Sequence, residues 1–277
     1  MDSTQTNPFD SHIANPRING FSYPPDARQI AVGVYIAFSS AVVFTLCINV
    51  VDQGAARVYL VAVFTALLLS MLGNGFALSC SNPVDPHVSA VWKSGVEGKL
   101  DEPPTDDRVS KFCWVCKAHV ETDSLHCRYC DKCIPRLDHH CFYVNNCIGR
   151  RNYGLYISSL ISIFLYSSAQ AAASVVSFVA AAQKPSKVGA FNLSLPAFQS
   201  IVLIPGILSF AFSIFIADLL RLHILLYFKG MTTLEYSHYL DERTGSKTMS
   251  IGQVLFPKKR KAKAIVPDTA DVEQEGI

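Results

Sequence analysis

The chain has 277 residues, 50% of them hydrophobic and 17% charged, with a formal net charge of +2. The apolar excess is gathered into four blocks instead of being spread along the chain, which argues against a large water-soluble core and for a membrane protein. The net charge alone decides nothing; its distribution does.

Residues 1–29 read as a polar N-terminal tail, with Pro8, Pro16, Pro24 and Pro25 and no apolar stretch long enough for a cleavable signal peptide. Asn7-Pro8-Phe9 resembles a short endocytic-adaptor motif, against the more ordinary reading of a disordered tail. The segment Arg17-Ile18-Asn19-Gly20-Phe21 reads as a cap or as a stretch lying along the membrane surface. Apolar blocks over 30–51 and 58–80 each reach the ~20 residues a helix needs to cross the hydrocarbon layer. Only Asp52 to Arg57 separate them, so 30–80 is expected to be a tight transmembrane hairpin. Cys47 and Cys80 read as small membrane-facing residues, with palmitoylation of Cys80 as a second reading. Ser81-Asn82-Pro83-Val84-Asp85-Pro86 then breaks the helix, because each proline removes a donor and disfavours helical geometry before it. Residues 81–112 are expected to be a charged, turn-rich linker, and His87 and His119 solvated surface residues.

The stretch 113–153 is the densest in chemistry. Seven of the nine cysteines fall within 113–147, with four histidines among them. Cys-x-x-Cys pairs joined by a His-Cys step suit structural zinc, since each short spacer lets two thiolates reach one tetrahedral ion at roughly 2.3 Å. Seven cysteines cannot all form disulfides, and the cytosolic setting argued below is reducing. Two closed sites need eight ligands, and ten residues are candidates: Cys113, Cys116, His126, Cys127, Cys130, Cys133, His139, His140, Cys141 and Cys147. Two are left over, and spacing leaves open which two. An unligated Cys beside an unligated His is the pair that nucleophilic catalysis requires.

Asp138-His139-His140-Cys141, followed by Asn145-Asn146-Cys147 and Gly149-Arg150-Arg151-Asn152-Tyr153, resembles the DHHC family of membrane-bound protein S-acyltransferases. The resemblance implies two interleaved structural zinc ions, one on Cys113, Cys116, His126 and Cys133, the other on Cys127, Cys130, His140 and Cys147. It leaves Cys141 as acyl-accepting nucleophile and His139 as its base, oriented by Asp138. It further implies an acyl-CoA co-substrate (palmitoyl-CoA) and target proteins with cytosolic juxtamembrane cysteines. It also implies residence in an endomembrane, endoplasmic reticulum or Golgi, with the plasma membrane as alternative.

The third apolar block, 155–182, begins fourteen residues after Cys141 and so holds that thiol near the bilayer surface. Asn192-Leu193-Ser194 is a glycosylation sequon in a short loop. The fourth block, 201–220, contains Pro205-Gly206, where a kink is expected, and Asp218, Arg221 and His223 mark where it leaves the lipid. With the third it makes up the segment 154–224. The tail, 225–277, opens with Thr232-Thr233-Leu234-Glu235, which is similar to the Thr-Thr-x-Glu that packs against the catalytic domain in the family. The basic cluster over 258–263 resembles a nuclear import signal; in a four-span protein it reads as a contact with anionic lipid, and no nucleic-acid partner is expected.

The fold expected is thus an α-helical polytopic membrane protein, four transmembrane helices with a cytosolic two-zinc domain between the second and third. A 16-carbon acyl tail buried among the helices gains about 10 kcal/mol at ~0.8 kcal/mol per CH2, which places its thioester at the interface beside Cys141. Arg136, Arg150 and Arg151 are candidates for the CoA phosphates, with anchoring at the lipid surface as the alternative for the last two. The chain departs from the family at Phe142-Tyr143, where Pro-Trp is common, and at Glu121 and Asp123, where the spacer is often basic. These departures keep a second reading open: a zinc-stabilised membrane scaffold with weak or no transferase activity.

Twenty-one of the 24 Lys and Arg residues fall in the N-terminal tail, the loop holding the zinc domain and the segment from Arg221 onward. The positive-inside rule therefore puts both termini and the zinc domain in the cytosol. Proteolysis of sealed vesicles checks this: the C-terminal tail is expected to be digested from the cytosolic side and the 183–197 loop protected.

Overall fold

The computed structural model describes residues 16–50, 54–95, 98, 109–183, 188 and 193–244. Asn7-Pro8-Phe9, Asn192 and the 258–263 cluster lie outside the described residues. Four helices are long and apolar enough to span a bilayer: α1 (Ala27–Val50, with a π-helical stretch at Val43–Cys47), α2 (Ala55–Cys80), α4 (Tyr153–Gln183) and α5 (Leu195–Lys229). Between the second and third lie a short helix, α3 (Pro86–Ser94), and six strands: β1 (Val109–Cys113), β2 (Ala118–Glu121), β3 (Ser124–Cys127), β4 (Lys132–Pro135), β5 (His139–Cys141) and β6 (Asn146–Ile148). The last helix, α6, is Thr233–Thr244. The chain divides at Leu234, so that most of α6 belongs to a second unit beginning at Glu235.

The spanning helices are exposed where they meet lipid and buried where they meet one another. Val34, Phe38, Val58 and Leu69 face outward, while Val43, Ile48, Phe64, Met71, Tyr166 and Phe198 close the bundle core. Backbone polar groups are satisfied within each helix, as a hydrocarbon solvent demands. Side-chain polar groups pair across helices: Ser40 Oγ with Tyr166 OH at 2.6 Å, and Ser209 Oγ donating to Gln170 Oε1 at 3.1 Å. One expectation is corrected here. Cys47 faces the bundle interior, 2% exposed, not the lipid; Cys80 is exposed. Helix α5 continues as one helix through Pro205-Gly206, and the Pro205 carbonyl accepts from Tyr35 OH at 3.2 Å. It runs on to Lys229, so its 35 residues span about 52 Å at ~1.5 Å each, well beyond the ~30 Å hydrocarbon layer. His223 consequently lies inside the protein, 3% exposed, whereas Asp218 and Arg221 form an exposed ion pair at 2.8 Å.

The cysteine-rich region is three antiparallel hairpins in series, β1–β2, β3–β4 and β5–β6. The segment expected as a plain linker carries α3, which packs Val88 on Val84, Ala118 and Val120 of the first hairpin. Its N-cap, Asp85, is fully buried: Oδ1 accepts from His87 N at 2.9 Å, and Oδ2 from Glu121 N at 3.0 Å and from Ser124 Oγ. Residues 16–24, read as tail, also pack on the domain: Arg17 N donates to Cys130 O at 2.9 Å, and buried Lys132 donates to Ile18 O at 2.8 Å.

Two asparagines lock the domain to the end of α2, and a third ties it to residues 20–24. Asn146 Nδ2 donates to Leu78 O (3.2 Å) and Ser81 O (2.7 Å). Asn152 donates to Ser81 Oγ and to Cys147 O at 2.9 Å each and accepts from Gly149 N. Asn145 holds the chain near Gly20 and Pro24.

Because Asp85 joins α3 to two hairpins with no water to replace it, Asp85→Ala strands three donors. At ~1.5–3 kcal/mol for each hydrogen bond to a charged group, partly recovered by relaxation, a loss of about 3–5 kcal/mol is expected. Thermal unfolding of the detergent-solubilised protein checks this, with Asp85→Asn expected to fall between Ala and wild type.

Candidate active site and metal centres

A β-strand sends successive side chains to opposite faces. In the second hairpin His126 pairs across the ladder with Cys133, and in the third His140 pairs with Cys147. Each cross-strand His/Cys pair meets the Cys-x-x-Cys of the preceding hairpin. Cys113 and Cys116 thus join His126 and Cys133, and Cys127 and Cys130 join His140 and Cys147; within each set the ligand atoms lie within 4.8 Å of one another. His126 Nδ1 is 3.4–3.9 Å from its three sulfurs, and His140 Nδ1 3.3–3.9 Å from its own. Tetrahedral zinc with Zn–S of ~2.3 Å and Zn–N of ~2.0 Å requires edges of about 3.5–3.8 Å, so both sets fit.

The electrostatics point the same way. Hydrogen bonds from Cys116 and Cys133 pull the Cys113 thiol far below its usual range, while Cys113 and Cys116 push Cys133 far above it. Cys127 and Cys147 split likewise, through Cys130 and through each other. Thiols this close cannot all ionise unaided; a divalent cation removes the conflict. Beyond the ligands, Asp131 Oδ1 lies 3.6 Å from His126 Nε2, and Tyr129 stacks on the His140 ring at 5.0 Å. Such contacts orient a ligating imidazole. These are two Cys3His zinc-binding sites.

Alternation also separates the neighbouring histidines. With His140 turned to the metal set, His139 and Cys141, two apart on β5, share the other face. His139 Nδ1 lies 2.7 Å from Asp138 Oδ2. Asp138, 3% exposed, also accepts from Thr233 N and Thr233 Oγ1, both at 2.8 Å. Thr233 arrives there because Gly230, left-handed at φ 64, caps α5 and turns the chain back.

Burial disfavours a charged His139, but the Asp138 hydrogen bond and the Cys141 sulfur outweigh it and push its pKa up to about 9. Burial likewise raises the Cys141 thiol, yet His139 and the amides of Tyr143 and Val144 bring it below the usual range. Asp138 is held below the usual carboxylate range, its burial outweighed by His139 and Thr233. The arrangement is a thiol, a base and an orienting carboxylate in line.

Cys141 itself rests on an apolar cluster of Leu78, Tyr156, Leu160 and Ile216, from α2, α4 and α5. The thiol therefore meets the membrane bundle directly. Below His139, the Tyr156 ring packs edge-on at 5.2 Å; Tyr156 OH is 3.2 Å from His223 Nε2, and Tyr153 OH 3.0 Å from His223 Nδ1. Sequence reasoning did not find this Tyr–His–Tyr network; its signal was a histidine inside an apolar helix and two tyrosines three apart at the start of another.

The three arginines proposed for phosphate do not converge on one bound partner. Arg136 donates to Gly230 O at 2.6 Å and Arg151 to Val84 O at 3.0 Å. Arg150 pairs with Glu121 and, at 3.3 Å, with Asp123. Phe142 lies under the Arg28 guanidinium, 3.6 Å from the ring centroid.

Fold and site together define a four-span membrane protein that carries an unligated thiol, Cys141, on a domain with two Cys3His sites. Comparison with known proteins agrees: the DHHC palmitoyltransferase family model matches residues 107–239. Human palmitoyltransferase ZDHHC11 is 31% identical over 245 residues, covering 79% of this chain and 59% of that protein. Probable protein S-acyltransferase 15 of Arabidopsis thaliana is 34% identical over 193 residues, covering 68% of this chain and 71% of that protein. Probable protein S-acyltransferase 20 of the same plant is 32% identical over 148 residues, and the chain spans only 21% of its length. The chain belongs to the DHHC palmitoyltransferase family.

The two histidines give a sharp test. Purified protein is expected to carry two zinc ions per chain by elemental analysis. His140→Ala is expected to lose metal and folded protein, since one site then has three protein ligands. His139→Ala is expected to keep both ions.

Proposed function

We propose that the protein is a protein S-acyltransferase that moves a long-chain acyl group from acyl-CoA, through an acyl-Cys141 intermediate, to cysteines of target proteins. The observation that carries this is Cys141, which shares one face of β5 with His139 and is seated on the apolar cluster at the end of the bundle. An acyl chain entering between the helices brings its carbonyl to that thiol. In the first step His139 accepts the Cys141 proton as sulfur attacks the thioester carbonyl. The carbon–sulfur bond to CoA breaks, and the CoA thiolate leaves with the proton from His139. In the second, His139 takes the proton of a target thiol, which attacks acyl-Cys141; the Cys141 sulfur leaves and recovers the proton. Asp138, fixed by Thr233, holds the imidazole in the tautomer both steps use. The zinc ions supply the rigidity of the hairpins and no step of the transfer.

The CoA phosphates are assigned to Arg136 and Arg151 ahead of Arg150. The first two donate to neutral carbonyls and keep their charge uncompensated, whereas Glu121 and Asp123 offset that of Arg150. A cytosolic juxtamembrane cysteine is the target that the height of Cys141 above the bilayer allows. Endoplasmic reticulum or Golgi residence rests on the family resemblance alone. The scaffold reading loses ground because Asp138, His139 and Cys141 are assembled, not scattered.

Incubation of purified protein with a clickable acyl-CoA tests the reading. Self-acylation sensitive to hydroxylamine is expected, and Cys141→Ser is expected to abolish it with zinc content unchanged. His139→Ala is expected to slow it by about 10²–10⁴-fold, the usual contribution of a general base. Wild-type labelling of the Cys141→Ser protein would overturn the assignment.

A further inference from the structure

The turn that follows the nucleophile is held from outside its own hairpin. Residues 16–26 run back across it. Gly20 sits between two backbones: its N–H donates to Ser79 O at the end of α2 at 2.7 Å, and the Val144 carbonyl presses on its Cα. A Cβ at Gly20 would fall inside the van der Waals radius of that carbonyl and 3.1 Å from Ser79 O, so glycine is required there by space. Asn145, buried and left-handed at φ 52, donates from Nδ2 to Gly20 O and Pro24 O at 3.3 Å each. At the strap's far end Asp26 binds Arg28, whose guanidinium covers Phe142. The strap thus touches Val144 and Asn145 directly, and Asp26 at its end holds the Arg28 that covers Phe142. Val144, three residues after the nucleophile, thus meets the strap with its C=O.

We propose that residues 16–26 form a positioning strap for the nucleophile: Gly20, wedged against Val144, and Asn145, tied to Gly20 and Pro24, fix the turn that directly follows Cys141. The proposal rests on the acyl-transfer reading above. Its physical basis is that misplacement of a reacting group by about 1 Å costs up to ~10²-fold in rate. A strap that only covers the domain would not act on the chemical step separately from the fold.

Full-length protein in detergent, as Gly20→Ala and Asn145→Gly, tests it. The second variant keeps the left-handed turn and removes the tether, so it decides the matter if the first does not fold. Ile18→Ala, whose side chain is more than half exposed on the same strap, is the control. Three quantities are measured: zinc content, self-acylation rate against acyl-CoA concentration, and hydrogen exchange of the 142–146 amides. The proposal expects two zinc ions and a half-saturating acyl-CoA concentration within about twofold of wild type. It expects a limiting rate about 10–100-fold lower, exchange faster across 142–146, and a control that matches wild type. Wild-type limiting rates in Asn145→Gly would overturn it, as would loss of rate only in step with loss of zinc. If the wild-type protein does not self-acylate, the transfer reading fails by itself. The exchange measurement then decides the strap: faster exchange across 142–146 supports it and unchanged exchange overturns it.

Discussion

The structure depends on the two-residue period of a β-strand. Each short strand delivers adjacent side chains to opposite faces, so His126 and Cys127 serve different metal sets, and His140 and His139 serve metal and chemistry respectively. A domain this small has little apolar core of its own: only a few buried residues, such as Ile134 and Leu137, surround the second set. Two bound cations replace the missing core, at ~10–16 kcal/mol of folding energy for a structural zinc. Because the metal sets are chained from hairpin to hairpin, fixing them fixes β5, and fixing β5 fixes Cys141.

That thiol is useful only at the right height over the membrane. The asparagines set the height: Asn146 and Asn152 use their amides on Leu78, Ser81 and the Cys147 carbonyl, replacing the helix-end and loop contacts that water would otherwise make. From the other side, the overlong α5 brings the Gly230 turn up to Arg136 and Thr233 to Asp138. The buried Asp138 carboxylate is thereby satisfied by a residue 95 positions away. The site belongs to the bundle as much as to the cysteine-rich stretch.

Much of this was legible in the sequence, for identifiable reasons. Spans announce themselves because every residue that meets lipid must be apolar, and Cys-x-x-Cys spacing announces metal because the geometry of one ion fixes it. The adjacent histidines were legible too, had the His139-His140-Cys141 step been read as a strand with period two. Helix ends were less so: α5 outruns its apolar block by nine residues, because His223 and Leu226 bury against protein above the lipid instead of dissolving in it. The strap at 16–26 and the burial of Asp85 were not legible. Both rest on long-range backbone contacts that leave no periodic trace, and a polar, proline-containing segment reads locally as a tail or linker.

The acidic spacer of the first hairpin shows how a departure from a family pattern acquires meaning only in three dimensions. In sequence, Glu121 and Asp123 stand where basic residues are common, which reads as a loss of attraction for an anionic donor. In the structure both carboxylates close on Arg150, whose own N–H donates to Pro135 O. The Glu121 amide meanwhile donates to Asp85, so one residue joins the linker, the first hairpin and the Gly149-Arg150 loop. Reversing Glu121 would set a like charge against Arg150, with Asp123 still beside it. The acids are thus part of the domain's architecture: they draw the charge of Arg150 into the contact between the first hairpin and the Gly149-Arg150 loop.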